Sequence, residues 1–399
     1  MRKHRAFFIG VSFAVTLKTV HHNQNMSAPV TFSTFTTASG HSFGHAVLNN
    51  PAALNALTLP MIDLLDPQLK SWAEDDSIAG VVLSAAGDKA FCAGGDVVSL
   101  HHASKRVETG VVPPEAEAFF EREYRLDYRI HTYPKPILCW AHGIVMGGGV
   151  GLMVGASHRV VSPNARIAMP EIHIGLYPDV AGTWFLHRMP ARTGLFLALT
   201  GAIINAGDAL IGNWADAVVP HDQFATVLKA VAQTNWTGQF NPDKAVLSEL
   251  LKQFEVEAPT GLLHTHAEEI DAVMNQKSLA DIDQSLRELQ QSKVTWLANA
   301  AQAYAHGSPT SAALSFELMN RHAGADLADV LRLEYQASIG CCVHPDFPEG
   351  VRALLVDKDK SPKWKPSNLR EVTTTILDDI LRPRFQGPHP LDFKNSNQN

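Results

Sequence analysis

The stretch PKPILCWAHGIVMGGGVGLMVGA, residues 134–156, decides the fold of this chain. Residues 136–141 form a short apolar run typical of a buried β-strand, and residues 150–156 continue as an apolar helix. Between them, Met146-Gly-Gly-Gly-Val-Gly151 puts glycines at a helix start, where N–H groups lack intrahelical acceptors and the helix dipole is positive. This turn suits an anion, including one that forms only in a transition state, although close helix packing would also require glycine.

Strand-like and helical segments alternate from about residue 30 to residue 219, which predicts an α/β domain. From about residue 222 onward, helical periodicity dominates and predicts an α-helical C-terminal part. The predicted organisation is a leader or mis-called start over residues 1–28, a catalytic core over 29–222, a helical region over 223–385 and a poorly ordered tail over 386–399.

Composition restricts the possible partners. The chain has 40 acidic and 33 basic residues, a net charge of -7 and no long basic block, which argues against a nucleic-acid partner. Four cysteines are too few for a disulfide framework and favour a reducing compartment. Residues 1–25 could be a signal peptide, a transit segment or an upstream mis-called start, with Met26 as the natural beginning. No later run reaches the roughly 18 apolar residues that span a membrane, so no membrane partner is expected.

Two further motifs contain candidate functional residues. The motif Phe91-Cys-Ala-Gly-Gly-Asp96 is a turn of small residues, which lets backbone N–H groups approach a ligand or simply provides a tight turn. In the second motif, Glu171 and Asp179 lie in a loop of proline, glycine and apolar residues. A carboxylate among apolar side chains loses solvation, which raises its pKa and favours a role as base or nucleophile. Alternatively, such acids are a helix cap and a surface charge.

Together, the two glycine turns and the acid pair, in this order, resemble the crotonase (enoyl-CoA hydratase/isomerase) superfamily from about residue 31 to residue 372. Asn50-Pro-Ala-Ala-Leu-Asn-Ala-Leu57 is similar to its N-terminal signature. The resemblance implies an α/β fold, a spiral of repeated ββα units, followed by the helical C-terminal part. It also implies an acyl-CoA thioester as the substrate, with CoA as part of that substrate and no separate cofactor.

Finer features resemble the 3-hydroxyisobutyryl-CoA hydrolase branch. Hydratases of the superfamily usually have a second catalytic glutamate where this chain has Gly151, and the second carboxylate here is Asp179. The long stretch of residues 346–366 is similar to the same branch, and Glu123 matches a substrate-binding acid of these hydrolases. One departure is Ala181, where the branch tends to have glycine.

The resemblance implies a role for each site residue. Glu171 either attacks the thioester or activates water, and Asp179 orients water or a hydroxyl group and transfers a proton. The backbone N–H groups of Ala93 and Gly148 form an oxyanion hole. The substrate-binding residues implied are Glu123, Gly94, Gly95, Asp96 and Gly147.

The expected reaction is hydrolysis of a short branched 3-hydroxyacyl-CoA, in valine catabolism. The alternatives are an enoyl-CoA hydratase or isomerase and a non-catalytic acyl-CoA-binding homologue. A homo-oligomer is possible, and the expected location is the cytoplasm of a bacterium or, alternatively, the mitochondrial matrix. No metal is expected, because the pair His41 and His45 lies in a turn or strand rather than on a helix, and His101 and His102 are expected to be exposed.

Overall fold

The computed structural model describes residues 28–321 and 324–393. Residues 1–25, predicted to be a signal peptide, a transit segment or part of a mis-called start, therefore lie outside the described residues. The strands are β1 Val30–Thr36, β2 Ser42–Leu48, β3 Ile78–Ala85, β4 Ala90–Cys92, β5 Ile137–Ala141, β6 Ile144–Met146, β7 His158–Val161, β8 Arg166–Ala168 and β9 Ala217–Val218. The helices as far as β9 are α1 Leu59–Glu74, α2 Val97–Ser104, α3 Pro114–His131, α4 Gly148–Val154, α5 Gly182–His187, α6 Thr193–Thr200 and α7 Ala206–Ile211.

After β9, all regular elements of the described residues are helices. The α-helices in this part are α8 Phe224–Gln233, α9 Phe240–Lys252, α10 Leu262–Thr265, α11 Ala267–Met274, α12 Leu279–Leu289, α13 Thr295–His306, α14 Pro309–Arg321, α15 Leu327–Val343, α16 Asp346–Val351 and α17 Thr374–Leu381. The predicted α-helical C-terminal part is confirmed.

The strands form two sheets in a spiral. The larger sheet has the order β1-β2-β3-β5-β7-β9, in which β1 and β2 are antiparallel and the other neighbours are parallel. The smaller sheet has the order β4-β6-β8, and all of its strands are parallel. The successive pairs β3–β4, β5–β6 and β7–β8 therefore each add one strand to each sheet. The predicted α/β spiral of ββα units is confirmed.

Both faces of the larger sheet are buried, as is usual when parallel strands are covered on two sides. Along β3, Val81 and Leu83 belong to the main hydrophobic core, whereas Val82 faces a second core that includes Trp140 and Val227. The main core also contains side chains of α11 to α17, and α15 packs directly against α3. The C-terminal helices are thus part of the same core as the smaller sheet and the glycine turns.

Two expectations from the sequence are wrong. His101 is buried with 1% exposure, because α2 packs against α3 and α16, and only His102 is exposed. The described part of the tail is docked rather than poorly ordered, because Leu391 and Phe393 are buried and the Phe393 ring stacks on Tyr128 with centroids 4.0 Å apart.

Within the described residues, no helix is both long and apolar enough to span a membrane.

Candidate active site

The two glycine turns meet at the edge of the smaller sheet. Each follows a strand of that sheet, β4 or β6, and these strands pair in parallel, so their ends lie side by side. Gly147 has φ +50° and ψ −122°, a conformation open to glycine and strained for other residues. A Cβ atom built on Gly147 would lie 3.6 Å from Cα of Gly94 and 2.8 Å from Oε1 of Glu171. The two glycine turns and Glu171 therefore lie next to one another.

Backbone donors at this junction differ in what they bind. Gly148 is the first residue of α4, and its N–H has no acceptor among residues 28–321 and 324–393. The N–H of Ala93 donates to the carbonyl of Leu54 at 3.1 Å. The neighbouring N–H of Gly94 has no acceptor in the same described part of the chain. Gly148 is thus available to a ligand, and the oxyanion role of Ala93 stays a prediction that requires the Leu54 bond to be shared or broken.

Glu171 begins a short 3-10 turn, Glu171–Ile174, directly after β8 and Pro170. Its side chain is 5% exposed, and its Oε2 atom has no hydrogen-bond partner among the described residues. Burial raises the pKa of Glu171 well above its ordinary value, and the nearby Asp179 adds to this effect. Because its pKa is raised, the ionised form of Glu171 is a stronger base than a carboxylate on the solvated surface.

Asp179 lies in the loop between Glu171 and α5 and is also 5% exposed. Its Oδ2 atom is hydrogen-bonded to the Tyr124 hydroxyl at 2.7 Å. Burial raises the pKa of Asp179 to about 6, although the Tyr124 hydrogen bond acts in the opposite direction. The next two residues, Val180 and Ala181, both have left-handed backbones, with φ of +52° and +66°. The alanine that departs from the family pattern therefore occupies a conformation that glycine adopts more easily.

A buried carboxylate in the C-terminal part holds this strained turn. Glu334, on α15, accepts hydrogen bonds from the N–H of Ala181 at 2.7 Å and from the N–H of Thr183 at 3.1 Å. It also accepts the Thr183 hydroxyl at 2.5 Å. Glu334 is fully buried, and burial raises its pKa to about 8. Sequence reasoning missed Glu334, since a glutamate in an amphipathic helix gives no signal that it faces inward.

Helix α3 supplies two more acids on one face. Glu123 is 2% exposed, and its Oε1 atom lies 2.7 Å from a Cβ atom built on Gly148. Asp127, one helical turn later, is fully buried, and neither of its carboxyl oxygens has a hydrogen-bond partner among the described residues. Burial raises the pKa of both acids well above normal, and their proximity to Asp179 adds to it. The i, i+4 spacing of Glu123 and Asp127 was the available signal for Asp127.

Three hydroxyl groups connect the loop that contains Glu171 and Asp179, called the acid loop below, to α15. Tyr124 is 2.7 Å from Oγ of Ser338, and Ser338 is 2.8 Å from the hydroxyl of Tyr177. The Tyr177 hydroxyl donates to the backbone carbonyl of Glu334 at 2.6 Å. These residues are separated by up to 214 positions, so nothing local in the sequence indicated the connection.

Two more of the predicted substrate-binding residues, Gly95 and Asp96, differ in their contacts. Gly95 lies beside Glu123, with 3.8 Å between its would-be Cβ and Oε1 of Glu123. Asp96 caps α2 through the N–H and hydroxyl of Ser99, at 3.2 and 2.6 Å, so a structural function already occupies its carboxylate. Across the described ranges, no group of three or more potential metal ligands occurs.

Position 151 contributes no acid, and it has no room for one. A Cβ atom built on Gly151 would lie 2.7 Å from Cβ of Val180 and 3.2 Å from Oδ1 of Asp127. The first distance is shorter than side-chain carbons approach, so any larger residue there would displace the turn after Asp179. The carboxyl groups of the site therefore come from α3, the 171–179 loop and α15.

Comparisons with known proteins agree with this architecture. The profile of the enoyl-CoA hydratase/isomerase family matches residues 43–381. The proteins named 3-hydroxyisobutyryl-CoA hydrolase, mitochondrial, from Gallus gallus and Homo sapiens are 36% and 35% identical to this chain, and each alignment covers 85% of this chain and 86% of the relative.

Solved structures show the same fold. A carnitinyl-CoA dehydratase from Mycobacterium thermoresistibile has a TM-score of 0.77 at 36% identity, over 86% of this chain and 94% of that one. An enoyl-CoA hydratase from Rhodobacter sphaeroides 2.4.1 has a TM-score of 0.76 at 34% identity, over 88% of this chain and 97% of that one. The extent of the profile match and the identity to these relatives show that the chain belongs to the enoyl-CoA hydratase/isomerase, or crotonase, family.

Proposed function

We propose that this protein hydrolyses a short branched 3-hydroxyacyl-CoA thioester, with 3-hydroxyisobutyryl-CoA as its substrate and 3-hydroxyisobutyrate and CoA as its products. This reaction belongs to valine catabolism, within branched-chain amino acid degradation. The observation that carries the proposal is the position of Glu171: a buried acid at the junction of two glycine turns, against Gly147 and one residue from Gly148, whose N–H has no acceptor among the described residues. The names of the curated relatives support the choice of substrate.

The proposed chemistry begins at the thioester carbonyl. The ionised Glu171 carboxylate either bonds to the carbonyl carbon or removes a proton from a water molecule that does so. The carbonyl oxygen becomes negatively charged and accepts hydrogen bonds from Gly148 and a donor of the 93–94 turn. Losing one such donor typically costs about 3 kcal/mol of transition-state stabilisation. When the C–S bond breaks, the electron pair stays on sulfur, and Asp179 supplies the proton that completes the CoA thiol.

The competing function is hydration of an enoyl-CoA, which the names of the two similar proteins of known structure favour. Hydration generally uses two acid–base groups around the added water. Gly151 replaces the second of these, and Val180 fills the space next to it. The distinct acid arrangement therefore supports thioester hydrolysis over hydration.

The test is a parallel incubation of the pure protein with 3-hydroxyisobutyryl-CoA and with crotonyl-CoA, following free thiol and loss of the enoyl absorbance. We expect thiol release from the first substrate. Glu171→Gln should lower kcat at least about 100-fold, whereas Glu268→Gln, at an exposed position, should not change it. Hydration of crotonyl-CoA without thiol release would refute the proposal, as would an unchanged rate for Glu171→Gln.

A single-turnover reaction in ¹⁸O-labelled water tests the nucleophilic role of Glu171. If Glu171 forms an acyl anhydride and water attacks the carboxyl carbon of Glu171, one labelled oxygen enters the Glu171 side chain. If Glu171 activates water directly, or if water attacks the acyl carbon of the anhydride, the label appears only in the released acid, so a labelled Glu171 is the diagnostic result. Mass spectrometry of the peptide that contains Glu171 reads the result.

The location and assembly of the protein remain part of the proposal. The curated relatives are named mitochondrial, which supports the matrix alternative over the cytoplasm. Fusing residues 1–25 to a fluorescent protein tests it directly, because import of the fusion into mitochondria is expected only if this segment is a targeting signal. The homo-oligomer stays a prediction, which sedimentation of the pure protein would test.

A further inference from the structure

The four contacts of the hydroxyl chain leave little freedom for its hydrogens. The chain runs from Oδ2 of Asp179 to Tyr124 at 2.7 Å, then to Ser338 at 2.7 Å, to Tyr177 at 2.8 Å and to the backbone carbonyl of Glu334 at 2.6 Å. Tyr124, Tyr177 and Ser338 are fully buried. All four distances are those of hydrogen bonds between oxygen atoms.

Counting hydrogens fixes the direction of the chain. The carbonyl of Glu334 can only accept, so Tyr177 donates its single hydrogen there. Ser338 must then donate to Tyr177, and Tyr124 must donate to Ser338. The three hydroxyl groups supply three hydrogens for four contacts. For all four contacts to be hydrogen bonds at once, the fourth hydrogen, between Asp179 and Tyr124, must come from the carboxyl group of Asp179 rather than from Tyr124.

We propose that Ser338 is a positioning residue that holds Asp179 in its protonated form: it accepts the Tyr124 hydrogen, which leaves Tyr124 to accept the Asp179 proton. The inference rests on the proposed function, in which this proton passes to the departing CoA sulfur. When Asp179 becomes ionised, Tyr124 turns its hydrogen back toward the carboxylate, and one contact of the chain is left without a hydrogen.

The titratable groups around Asp179 also disfavour its ionisation. The groups that face it are the carboxyls of Glu123 and Asp127 on α3, of Glu171 in the preceding turn and of Glu334 on α15. The thiols of Cys341 and Cys342, also on α15, face it as well. Each of these groups is neutral or negative, so none favours a negative charge on Asp179.

Ser338→Ala and Tyr124→Phe should change the titration of Asp179 in opposite directions. In the wild type, ionisation of Asp179 costs one hydrogen bond of the chain. In Ser338→Ala, Tyr124 has no acceptor except Asp179, so ionisation costs none, and the titration midpoint falls by about 0.5 to 1 pH unit. In Tyr124→Phe, the ionised form loses its hydroxyl donor, and the midpoint rises by a similar amount.

The experiment is an infrared titration of the substrate-free protein with aspartate ¹³C-labelled at its side-chain carboxyl. Asp179→Asn assigns the protonated band. Ser315→Ala is the matched control, since Ser315 is an equally buried serine on α14 outside the chain, and Tyr335→Phe is the control on α15. Both controls should leave the midpoint unchanged.

The two variants must shift the midpoint in opposite directions for the proposal to stand. An unchanged or raised midpoint in Ser338→Ala would overturn it, and so would equal downward shifts in both variants. If Ser338→Ala fails to fold, Tyr177→Phe decides: it leaves two contacts for two hydroxyl hydrogens, so ionisation of Asp179 costs no hydrogen bond and the midpoint should fall. Because no substrate is present, the result is independent of whether the enzyme hydrolyses thioesters.

Discussion

Glu334 is a clear test of how the C-terminal helices support the acid loop. Its carboxylate is the acceptor of the backbone N–H groups of Ala181 and Thr183, across 153 and 151 residues of sequence. Replacing Glu334 with alanine removes that acceptor and leaves a cavity at a fully buried position. The perturbation therefore acts on the turn after Asp179 without touching any proposed catalytic group.

The expected cost follows from these contacts. A buried donor that loses its acceptor costs about 1–3 kcal/mol, and two backbone donors are affected. The left-handed backbones of Val180 and Ala181 each cost roughly 1–2 kcal/mol, so the turn relaxes when nothing holds it. Relaxation recovers part of the loss. We therefore expect Glu334→Ala to lower the free energy of unfolding by about 3–5 kcal/mol.

The assay is urea denaturation followed by tryptophan fluorescence, with thioesterase activity measured in parallel. Glu317→Ala is the matched control, because Glu317 forms only an i, i+4 ion pair with Arg321 on a partly exposed helix face. That variant should lose no more than about 0.5 kcal/mol. A loss below about 1 kcal/mol for Glu334→Ala, or one equal to the control, would refute the reasoning. Activity should fall with stability, since Asp179 precedes the released turn.

Three further predictions follow from single contacts. Gly147→Ala should lower kcat at least about 100-fold, because the new Cβ would meet Glu171 2.8 Å away, whereas Gly110→Ala, at φ +86° with no atom within 4 Å, should leave kcat unchanged. Burial raises the pKa of Glu334 from 4.5 to about 8, so between these pH values the native state keeps a proton that the unfolded state has lost. The contribution of Glu334 to the free energy of unfolding should therefore fall by a few kcal/mol as pH rises from 4.5 to 8. In urea denaturation, Glu334→Gln should flatten this dependence on pH. Phe393→Ala should lower the free energy of unfolding by about 3 kcal/mol, since the ring is buried against Tyr128, and an unchanged urea midpoint would contradict the docked tail.

The local part of the fold could be predicted from the sequence. The predicted strand over residues 136–141 and the predicted helix over residues 150–156 lie within two residues of β5 and α4, and the predicted change to helices near residue 222 falls just before α8. These elements show regular apolar spacing, and their ends coincide with turn-forming residues. The glycine turn at Gly147 was also predictable, because a positive φ at a strand-to-helix junction demands glycine.

The exposure of side chains was less predictable. His101 follows Leu100 on a short helix whose sequence does not reveal that α16 covers it. The proline-rich tail contains only Leu391 and Phe393 as apolar anchors, and their burial depends on a groove beside α3 that other segments build. Both predictions were wrong because the burial of a side chain depends on segments that lie far away in the sequence and pack against it.

The sequence by itself determined the alternation of strands and helices, the helical C-terminal part and the two glycine turns, since each follows from local spacing or backbone geometry, and the family motif singled out Glu171 and Asp179. Only the tertiary structure decided that Asp127, Glu334 and the hydroxyl chain surround those acids. The physical reason is that the electrostatic environment of a carboxyl group is set by atoms within a few ångströms of it in space. In this protein those atoms come from α3, the 171–183 loop and α15, which are separated by as many as 214 residues along the chain.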